Sequence, residues 1–202
     1  NTVSSGVLNW EGRRNAINDG SIIDVGLLDD KFVLRAKITI DSITTPSSAS
    51  HKWFFGVSDG DETVSGNSNT DSVGFAIVAD GGGSEFFRVG DTDGTANVNI
   101  NDNNMLTPTA TTYYVEIRRT GVAEVIFNVF SDSSYSILLA TYTHILPSTV
   151  TGLQYIKCNN NDNTSITGGT LDGTLDDVNL WNGVTSPNAE GRKIVFTDNA
   201  FD

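Results

Sequence analysis

Cysteine, histidine and basic residues are scarce in this sequence, which has one Cys, two His and 12 Lys plus Arg against 25 acidic residues. The single cysteine, Cys158, excludes an intrachain disulfide, and its position after Ile156 in a predicted strand indicates a buried thiol. The net charge of −13 disfavours nucleic acid and anionic membranes as partners, because both repel a negative surface. No apolar run is long enough to cross a bilayer, so we expect no membrane insertion.

Apolar and polar residues alternate with period two through most of the chain, which predicts β-strands. The cleanest strand covers residues 32–40, where one face is apolar and the other carries Arg35 and Lys37. Further strands are predicted at residues 7–10, 21–26, 52–58, 72–79, 84–89, 113–118, 122–130, 135–142, 153–158, 173–183 and 193–196. No segment has sustained helical periodicity. The sequence therefore predicts an all-β protein, a two-sheet antiparallel β-sandwich or jelly roll.

One polar residue in the stretch 173–183 conflicts with the alternation. Val178 and Leu180 point to one side of this predicted strand, and Trp181 points to the other. Asp176 shares the parity of Val178, so we expect it to face the buried side. A carboxylate there needs a partner, which backbone N–H groups, the side chain of Arg13 or a metal ion could supply.

The same stretch, with the sequence GTLDDVNLWNG, resembles the closing strand of the laminin-G-like, concanavalin A-like jelly rolls. Asp24-Val25-Gly26, the strand at 32–40 and the hairpin at 113–130 also match that family, so the resemblance covers residues 5–186. It implies a jelly-roll domain at residues 1–186 and a tail, edge strand or linker at 187–202. It also implies a convex and a concave sheet, with ligands on the concave face or the rim loops.

Members of this family include lectins, carbohydrate-binding modules, adhesion domains, glucanases and polysaccharide lyases. Many hold a structural calcium ion with an Asp at the start of the last strand, and by position that residue is Asp176. The loops 59–62 (Asp-Gly-Asp-Glu) and 91–94 (Asp-Thr-Asp-Gly) also space oxygen ligands as calcium loops do. For these two loops we favour an acidic solvated turn.

Catalytic patterns of the family are missing from the sequence. Its retaining glycosidases cluster carboxylates on one strand, as Glu-x-Asp-x-x-Glu or Glu-x-Asp-x-Glu, and none of the six glutamates lies in such a pattern. Its lyases use an Arg, Gln, His and Tyr set. The two histidines, His51 and His144, lie outside any matching context, and we interpret both as loop residues without a special role. We therefore expect a protein that is not an enzyme.

Aromatic and basic side chains provide the candidate ligand-binding residues. Sugar binding uses the faces of aromatic rings together with short polar groups. The aromatic residues available for it are Tyr135, Trp181, Trp53 and Tyr114, and we select the last three as candidates. Trp181 has the parity expected of an exposed ring. The full candidate set is Trp181, Trp53, Tyr114, Arg35 and Lys37, of which the two basic residues could contact an anionic polysaccharide.

Fold resemblance, the missing catalytic set and the acidic surface together predict a non-catalytic module for glycan recognition or adhesion. We expect it outside the cell, on a cell surface or on a virion surface, with a glycan or polysaccharide as partner and possible structural calcium. The alternative is a structural subunit of a surface filament, fibre or capsid decoration. Such a subunit would contact neighbouring copies through its edge strands or its tail.

Overall fold

A computed structural model describes residues 2–4, 7–11, 20–47, 50–60, 70–92, 103–161, 168–187 and 192–195. Every regular element in these ranges is a β-strand, and none of them contains a helix that could cross a membrane. The strands are β1 (Thr2–Ser4), β2 (Val7–Glu11), β3 (Gly20–Asp24), β4 (Phe32–Thr44), β5 (Ser50–Ser58), β6 (Ser72–Asp80), β7 (Ser84–Thr92), β8 (Asn103–Leu106), β9 (Thr112–Gly121), β10 (Glu124–Phe130), β11 (Leu138–Ile145), β12 (Tyr155–Asn161), β13 (Thr170–Asn182) and β14 (Arg192–Val195).

These strands form two antiparallel sheets, which confirms the predicted β-sandwich. The larger sheet has eight strands in the order β1-β2-β13-β4-β9-β10-β11, with β14 also paired to β13. The smaller sheet has six strands in the order β3-β12-β5-β6-β7-β8. On one side β13 pairs with β4, and on the other it pairs first with β2 and then with β14. Two central strands, β4 and β13, therefore organise the larger sheet.

The core lies between the sheets and is built from the alternate side chains that the sequence pattern predicts. On β4 the inward residues Phe32, Leu34, Ala36, Ile38 and Ile40 are all buried. Aromatic rings from the two sheets meet edge to face in the middle, as where Phe75 of β6 contacts Phe127 of β10 with ring centroids 5.2 Å apart. Burial of this apolar surface is the main source of stability.

Several strand boundaries differ from the sequence prediction by a few residues, and two larger differences are informative. The strand expected at residues 135–142 begins only at Leu138, because residues 131–137 form a loop that is described below. The short strand β8 was not predicted, since its sequence, Asn-Asn-Met-Leu, has almost no alternation. Arg13, one of the partners considered for Asp176, lies outside the described residues.

A β-bulge in β13 changes the phase of its side chains. Asp176 is opposite Lys37 on β4, and Asn179 is opposite Arg35, so two residues of β13 occupy the space opposite the single residue Ala36. The first of the two, Asp177, has a left-handed backbone with φ of 52°. Because the extra residue inverts the alternation, the core receives Leu171 and Leu175 before the bulge and Val178 and Leu180 after it.

The bulge corrects the prediction for Asp176. The prediction placed Asp176 on the same face as Val178 because the two residues are two positions apart, and this holds only in a regular strand. With one residue added between them, Asp176 lies on the outer face of the larger sheet, beside Lys37, with 27% of its side chain exposed. It therefore does not face the core, and its carboxylate avoids most of the cost of desolvation.

The left-handed conformation at Asp177 gives the first testable prediction. A β-branched residue is strained there, whereas glycine adopts this backbone without a Cβ clash. We expect Asp177→Val to lower the free energy of unfolding by about 1–2 kcal/mol, and Asp177→Gly to leave it nearly unchanged. Urea unfolding of the three proteins measures this. Equal stability of the Val and Gly variants would contradict the assigned conformation.

Candidate functional site

The outer face of the larger sheet carries polar and aromatic side chains where a solvated surface would need only polar ones. The strand register places them in two adjacent rows across β13, β4, β9 and β10. The first row is Asp176, Lys37, Tyr114 and Phe130, and the second is Asn179, Arg35, Glu116 and Asn128. We call the eight residues of these two rows, together with Tyr135, the outer-face cluster.

Glu116 lies at the centre of the outer-face cluster, and only 4% of its side chain is exposed. Arg35 donates from Nε to Oε2 of Glu116 at 2.8 Å, and its Nη2 lies 2.7 Å from the same oxygen. Asn128 donates from Nδ2 to Oε1 at 3.0 Å. A carboxylate this deeply buried is stable in its charged form only with such donors, so the three side chains form one ordered unit.

A tight loop, residues 131–137, positions Tyr135 above this unit. The carboxylate of Asp132 accepts hydrogen bonds from the backbone N–H groups of Ser134, Ser136 and Ile137 at 3.2, 3.1 and 2.6 Å. Hydrogen bonding, led by the Ser134 hydroxyl, lowers the pKa of Asp132 well below its usual range. The loop is therefore closed around an ionised carboxylate, and Tyr135 projects from it with a positive φ of 56°.

The ring of Tyr135 is held on the outer face by three neighbouring side chains. The Arg35 guanidinium carbon is 4.0 Å from the ring centroid, within the range of a cation–π contact. Tyr114 and Phe130 meet the ring edge to face, with centroids 5.8 and 5.5 Å away. Burial raises the pKa of the Tyr135 hydroxyl, so this group remains a protonated donor.

The bulge in β13 and the Tyr135 loop meet at one point. The Tyr135 hydroxyl lies 3.5 Å from the carbonyl oxygen of Ala36, the residue opposite the bulge. Tyr135 and Asp177 are also the two non-glycine residues with positive φ in the part of the chain that the structure describes. Backbone strain concentrates where a fixed geometry serves a function, and here both instances border the same surface.

The charges of this region balance one another. Lys37 donates to Oδ2 of Asp176 at 3.2 Å, and this hydrogen bond raises the pKa of Lys37. Arg35 and Arg118 both lie beside Glu116, at 2.7 and 3.7 Å. Asp177 adds a third carboxylate at the bulge. Cations and anions are thus matched locally, although the whole chain carries a net charge of −13.

The partners of Asp176 bear on the calcium that the sequence suggested. Oδ2 of Asp176 accepts from the Lys37 ammonium, and Oδ1 accepts from the backbone N–H of Asp177 at 2.7 Å. A lysine ammonium repels a second cation, and calcium needs several oxygen ligands. No group of three or more potential metal ligands occurs among the described residues. The Asp176 carboxylate thus has protein partners, and its surroundings do not fit a calcium site.

The other predicted site residues lie in different surroundings. Trp181 is on the outer face with Arg35 6.0 Å from its ring, and Tyr114 lies beside Tyr135. Trp53 is completely buried between the sheets, where it stacks near Phe55. Its inclusion as a ligand-binding residue is wrong, because no ring face is accessible. Both faces of this strand are largely apolar in sequence, with Phe54 between Trp53 and Phe55, so alternation alone did not assign the face of Trp53.

Sequence reasoning missed the centre of the cluster. Glu116 and Asn128 lie in predicted strands, on the face opposite the core residues, and would there be interpreted as ordinary solvated positions. Their burial accompanies the pairing between β9 and β10 and the hydrogen bonds that join Glu116 to Arg35 and Asn128. Only the polar alternation on both strands could have drawn attention to them.

Both histidines were interpreted as loop residues, and the structure corrects this. His51 lies in β5 and His144 in β11. His144 points inward and its Nε2 contacts Oδ1 of Asp91 on β7, so the pair links the two sheets. Tyr142, next on the same side of β11, donates to Oδ1 of Asn103 at 2.6 Å. Asp91, from the second candidate calcium loop, therefore has a structural partner.

The first candidate calcium loop begins beside two acidic residues, Asp71, which is buried, and Asp59, which is half-buried. Asp71 is 7% exposed and its Oδ2 accepts from the backbone N–H of Thr151 at 2.9 Å. Asp59 lies beside it, and its buried Oδ1 has no hydrogen-bond partner among the described residues. Burial, followed by repulsion from Asp71, raises the pKa of Asp59. Asp61 and Glu62 of this loop lie outside the described residues.

Comparison with known proteins identifies the fold. No family model and no curated protein sequence matches the chain. Among solved structures, scytalido-glutamic peptidase bound to a transition-state analogue is 13% identical, with 99% of this chain and 92% of that chain covered and a TM-score of 0.51. A variant of the alginate lyase Aly36B, in complex with an alginate tetrasaccharide, is also 13% identical, with 91% and 84% covered and a TM-score of 0.52.

A protein of unknown function from Shewanella oneidensis MR-1 is likewise 13% identical, with 92% of this chain and 72% of that chain covered and a TM-score of 0.52. At such identities the similarity shows the fold alone, a β-sandwich of the jelly-roll class. The narrower resemblance to laminin-G-like domains stays a prediction.

These neighbours contradict the expectation that the chain is not an enzyme. A peptidase and a lyase, which carry out unrelated reactions, share its sandwich. The expectation rested on the missing glucanase and lyase patterns of one family. Because different enzymes place different residues on the same sheets, the absence of those patterns does not exclude catalysis.

The Asp176–Lys37 pair gives a second prediction. We expect a chelator to leave the melting temperature unchanged, and both Lys37→Met and Asp176→Ala to lower it slightly, because a partly exposed ion pair contributes about 0–1 kcal/mol. In the double variant the fall in melting temperature should be smaller than the sum of the falls in the two single variants. Calorimetric melting with and without chelator measures this. If the chelator lowers the melting temperature of the wild type but not that of Asp176→Ala, calcium binding by Asp176 would be restored as the explanation.

The raised pKa of Asp59 gives a third prediction. A carboxyl whose folded pKa lies above its unfolded value loses stabilising free energy as pH rises through the folded value. Asp59→Asn should therefore raise the melting temperature by about 2 °C at pH 7. At pH 3, where the wild-type carboxyl is protonated, the difference should be small. A lower melting temperature at pH 7 would instead indicate a cation held by this loop.

Proposed function

We propose that the protein recognises a glycan through the outer-face cluster of its larger sheet. The observation that carries the proposal is the ring of Tyr135, which a loop closed around Asp132 holds against Arg35 on a hydrogen-bonded surface. Sugars present both an apolar ring face and a set of hydroxyls, and they bind aromatic rings flanked by amides and charged groups. Tyr114 and Trp181 extend the aromatic surface on either side of Arg35.

The charges of the cluster indicate which glycans bind best. Arg35 and Lys37 are both paired with carboxylates, so neither is a free cation for a polyanion. A long polyanion is also repelled by a chain with a net charge of −13. The recognition we propose therefore uses hydroxyl hydrogen bonds and stacking, and its affinity should change little with salt. The earlier idea that Arg35 and Lys37 contact an anionic polysaccharide receives no support from their ion pairs.

One structural neighbour is consistent with glycan binding on this fold, since the Aly36B variant was captured with an alginate tetrasaccharide. A glycan ligand also favours a location outside the cell or on a virion surface, where polysaccharides are encountered. The acid-rich composition suits such an exposed position. Whether the bound glycan is also cleaved is a separate measurement, made by following reducing ends or unsaturated products.

Removal of the Tyr135 ring gives the fourth prediction. In a screen of neutral and acidic polysaccharides, Tyr135→Ala should weaken binding of the best ligand about tenfold, equivalent to ~1.4 kcal/mol. Asp132→Ala, which leaves the ring but opens its loop, should weaken binding to a smaller extent. Isothermal titration or glycan-array binding measures both.

A matched control is Tyr155→Ala, which removes a half-buried tyrosine from the smaller sheet and should leave binding unchanged. Circular dichroism verifies that each variant is folded. Absence of binding to every glycan, or equal losses in Tyr135→Ala and Tyr155→Ala, would count against this surface.

A further inference from the structure

Arg88, on the outer face of the smaller sheet, differs from the other arginines whose side chains the structure describes. Arg35, Arg118 and Arg119 each lie within salt-bridge distance of a carboxylate, at 2.7, 3.7 and 3.2 Å. Arg88 has no such partner among the described residues, although the chain has 25 acidic residues against 12 basic ones. The described part of the protein therefore leaves the positive charge of Arg88 unpaired.

Two neighbours hold the Arg88 side chain in place. Its Nε donates to Oδ1 of Asn104 on β8 at 3.1 Å, and its guanidinium carbon lies 4.6 Å from the centroid of the Phe86 ring. The hydrogen bond to Asn104 uses Nε, so the N–H groups on the two Nη atoms can donate in parallel to the two oxygens of a carboxylate. A guanidinium that is already held by two contacts loses little further freedom when it binds such an anion.

The sheet beside Arg88 is apolar. On β6 the residue opposite Arg88 is Ala76, and the diagonal residues are Gly74 and Val78. All three are buried, and none has a side chain that can donate or accept a hydrogen bond. Phe86, which is half-buried, adds an aromatic ring two positions before Arg88 on β7.

A second aromatic ring lies along this surface. Phe54 on β5 is in the same cross-strand row as Ala76 and Arg88. A Cβ atom added to Gly56 or to Gly74 would lie 2.7 or 2.5 Å from atoms of the Phe54 ring, so the ring leans across both glycines instead of standing up from the sheet. The two glycines thus make room for a ring that reaches β6, the strand next to that of Arg88.

We propose that Arg88, Phe54 and Phe86, which we call the Arg88 surface, bind a flat apolar carboxylate such as an aromatic acid. The unpaired charge of Arg88 favours an anion, and the two phenylalanine rings favour an aromatic body. A sugar ring fits less well, since its hydroxyls would find no acceptor on the apolar residues of β6. A single cation also suits a single carboxylate, whereas a polyanion is repelled by a net charge of −13.

The Arg88 surface and the outer-face cluster lie on opposite sides of the sandwich. The cluster belongs to the larger sheet, where its arginine, Arg35, is paired with Glu116. Arg88 belongs to the smaller sheet, and the hydrophobic core separates the two faces. Binding of an aromatic acid at the Arg88 surface therefore does not depend on glycan recognition by the cluster.

A titration with trans-cinnamate, followed by protein NMR, tests the role of the charge. Cinnamate should bind the wild type, and cinnamyl alcohol, which has the same ring without the carboxylate, should bind at least about tenfold more weakly. Arg88→Gln should weaken cinnamate binding about tenfold, because it removes the charge and keeps a polar side chain. Lys31→Gln, which removes one positive charge at an exposed position before β4, is the matched control and should bind as the wild type does.

The same titration tests the role of the Phe54 ring. Phe54→Leu keeps an apolar side chain without the ring and should weaken cinnamate binding about threefold. Acetate, a carboxylate without a ring, should bind equally weakly to the wild type and to Phe54→Leu. Circular dichroism verifies that each variant is folded.

Three results would overturn the proposal. They are no binding of cinnamate, equal binding of cinnamate and cinnamyl alcohol, and equal effects of Arg88→Gln and Lys31→Gln. Glucuronate is the comparison for an acidic sugar. If glucuronate bound more tightly than cinnamate and lost its binding in Arg88→Gln, the surface would belong to acidic sugars, and the assignment to an aromatic acid would be wrong.

Discussion

The extra residue in β13 opposite Ala36 is the constraint on which the larger sheet depends. Without it, one half of β13 would turn its apolar residues to solvent, because a strand keeps one phase along its length. With it, Leu175 and Val178 both reach the core although three positions separate them. The same bulge sends Asp176 and Asp177 to the outer face, and Ala36, the residue opposite it, has its carbonyl oxygen 3.5 Å from the Tyr135 hydroxyl. Core packing and the surface cluster thus share one backbone irregularity.

The second feature of the surface is a buried charge. Glu116 contacts Arg35 and Asn128, and its desolvation is offset by those hydrogen bonds. A buried ion pair of this kind contributes little net stability, and an apolar residue in its place would pack as well. What it provides is geometry, because the guanidinium of Arg35 is fixed between Glu116 and the ring of Tyr135. A surface that must present hydrogen-bonding groups in a set arrangement gains from such fixation.

The structural neighbours share the sandwich and differ in chemistry. A peptidase and a lyase cover nearly the whole length of this chain at 13% identity, so conserved architecture coexists with unrelated active sites. For this reason the missing glucanase carboxylates do not by themselves exclude catalysis. Function on such a fold is decided by the few side chains on each sheet face, and here those side chains form an ordered aromatic and polar cluster.

The sequence by itself determined the strand content, the sandwich class and the inward faces of most strands, because period-two alternation is a local property that each strand carries alone. It placed β4, the hairpin of β9 and β10, and the outward position of Trp181. Tertiary structure decided the orientation of Asp176, the burial of Glu116 and the position of Tyr135. Each of these depends on residues far apart in the chain: a bulge is defined against the partner strand, and a carboxylate is buried only by what folds over it.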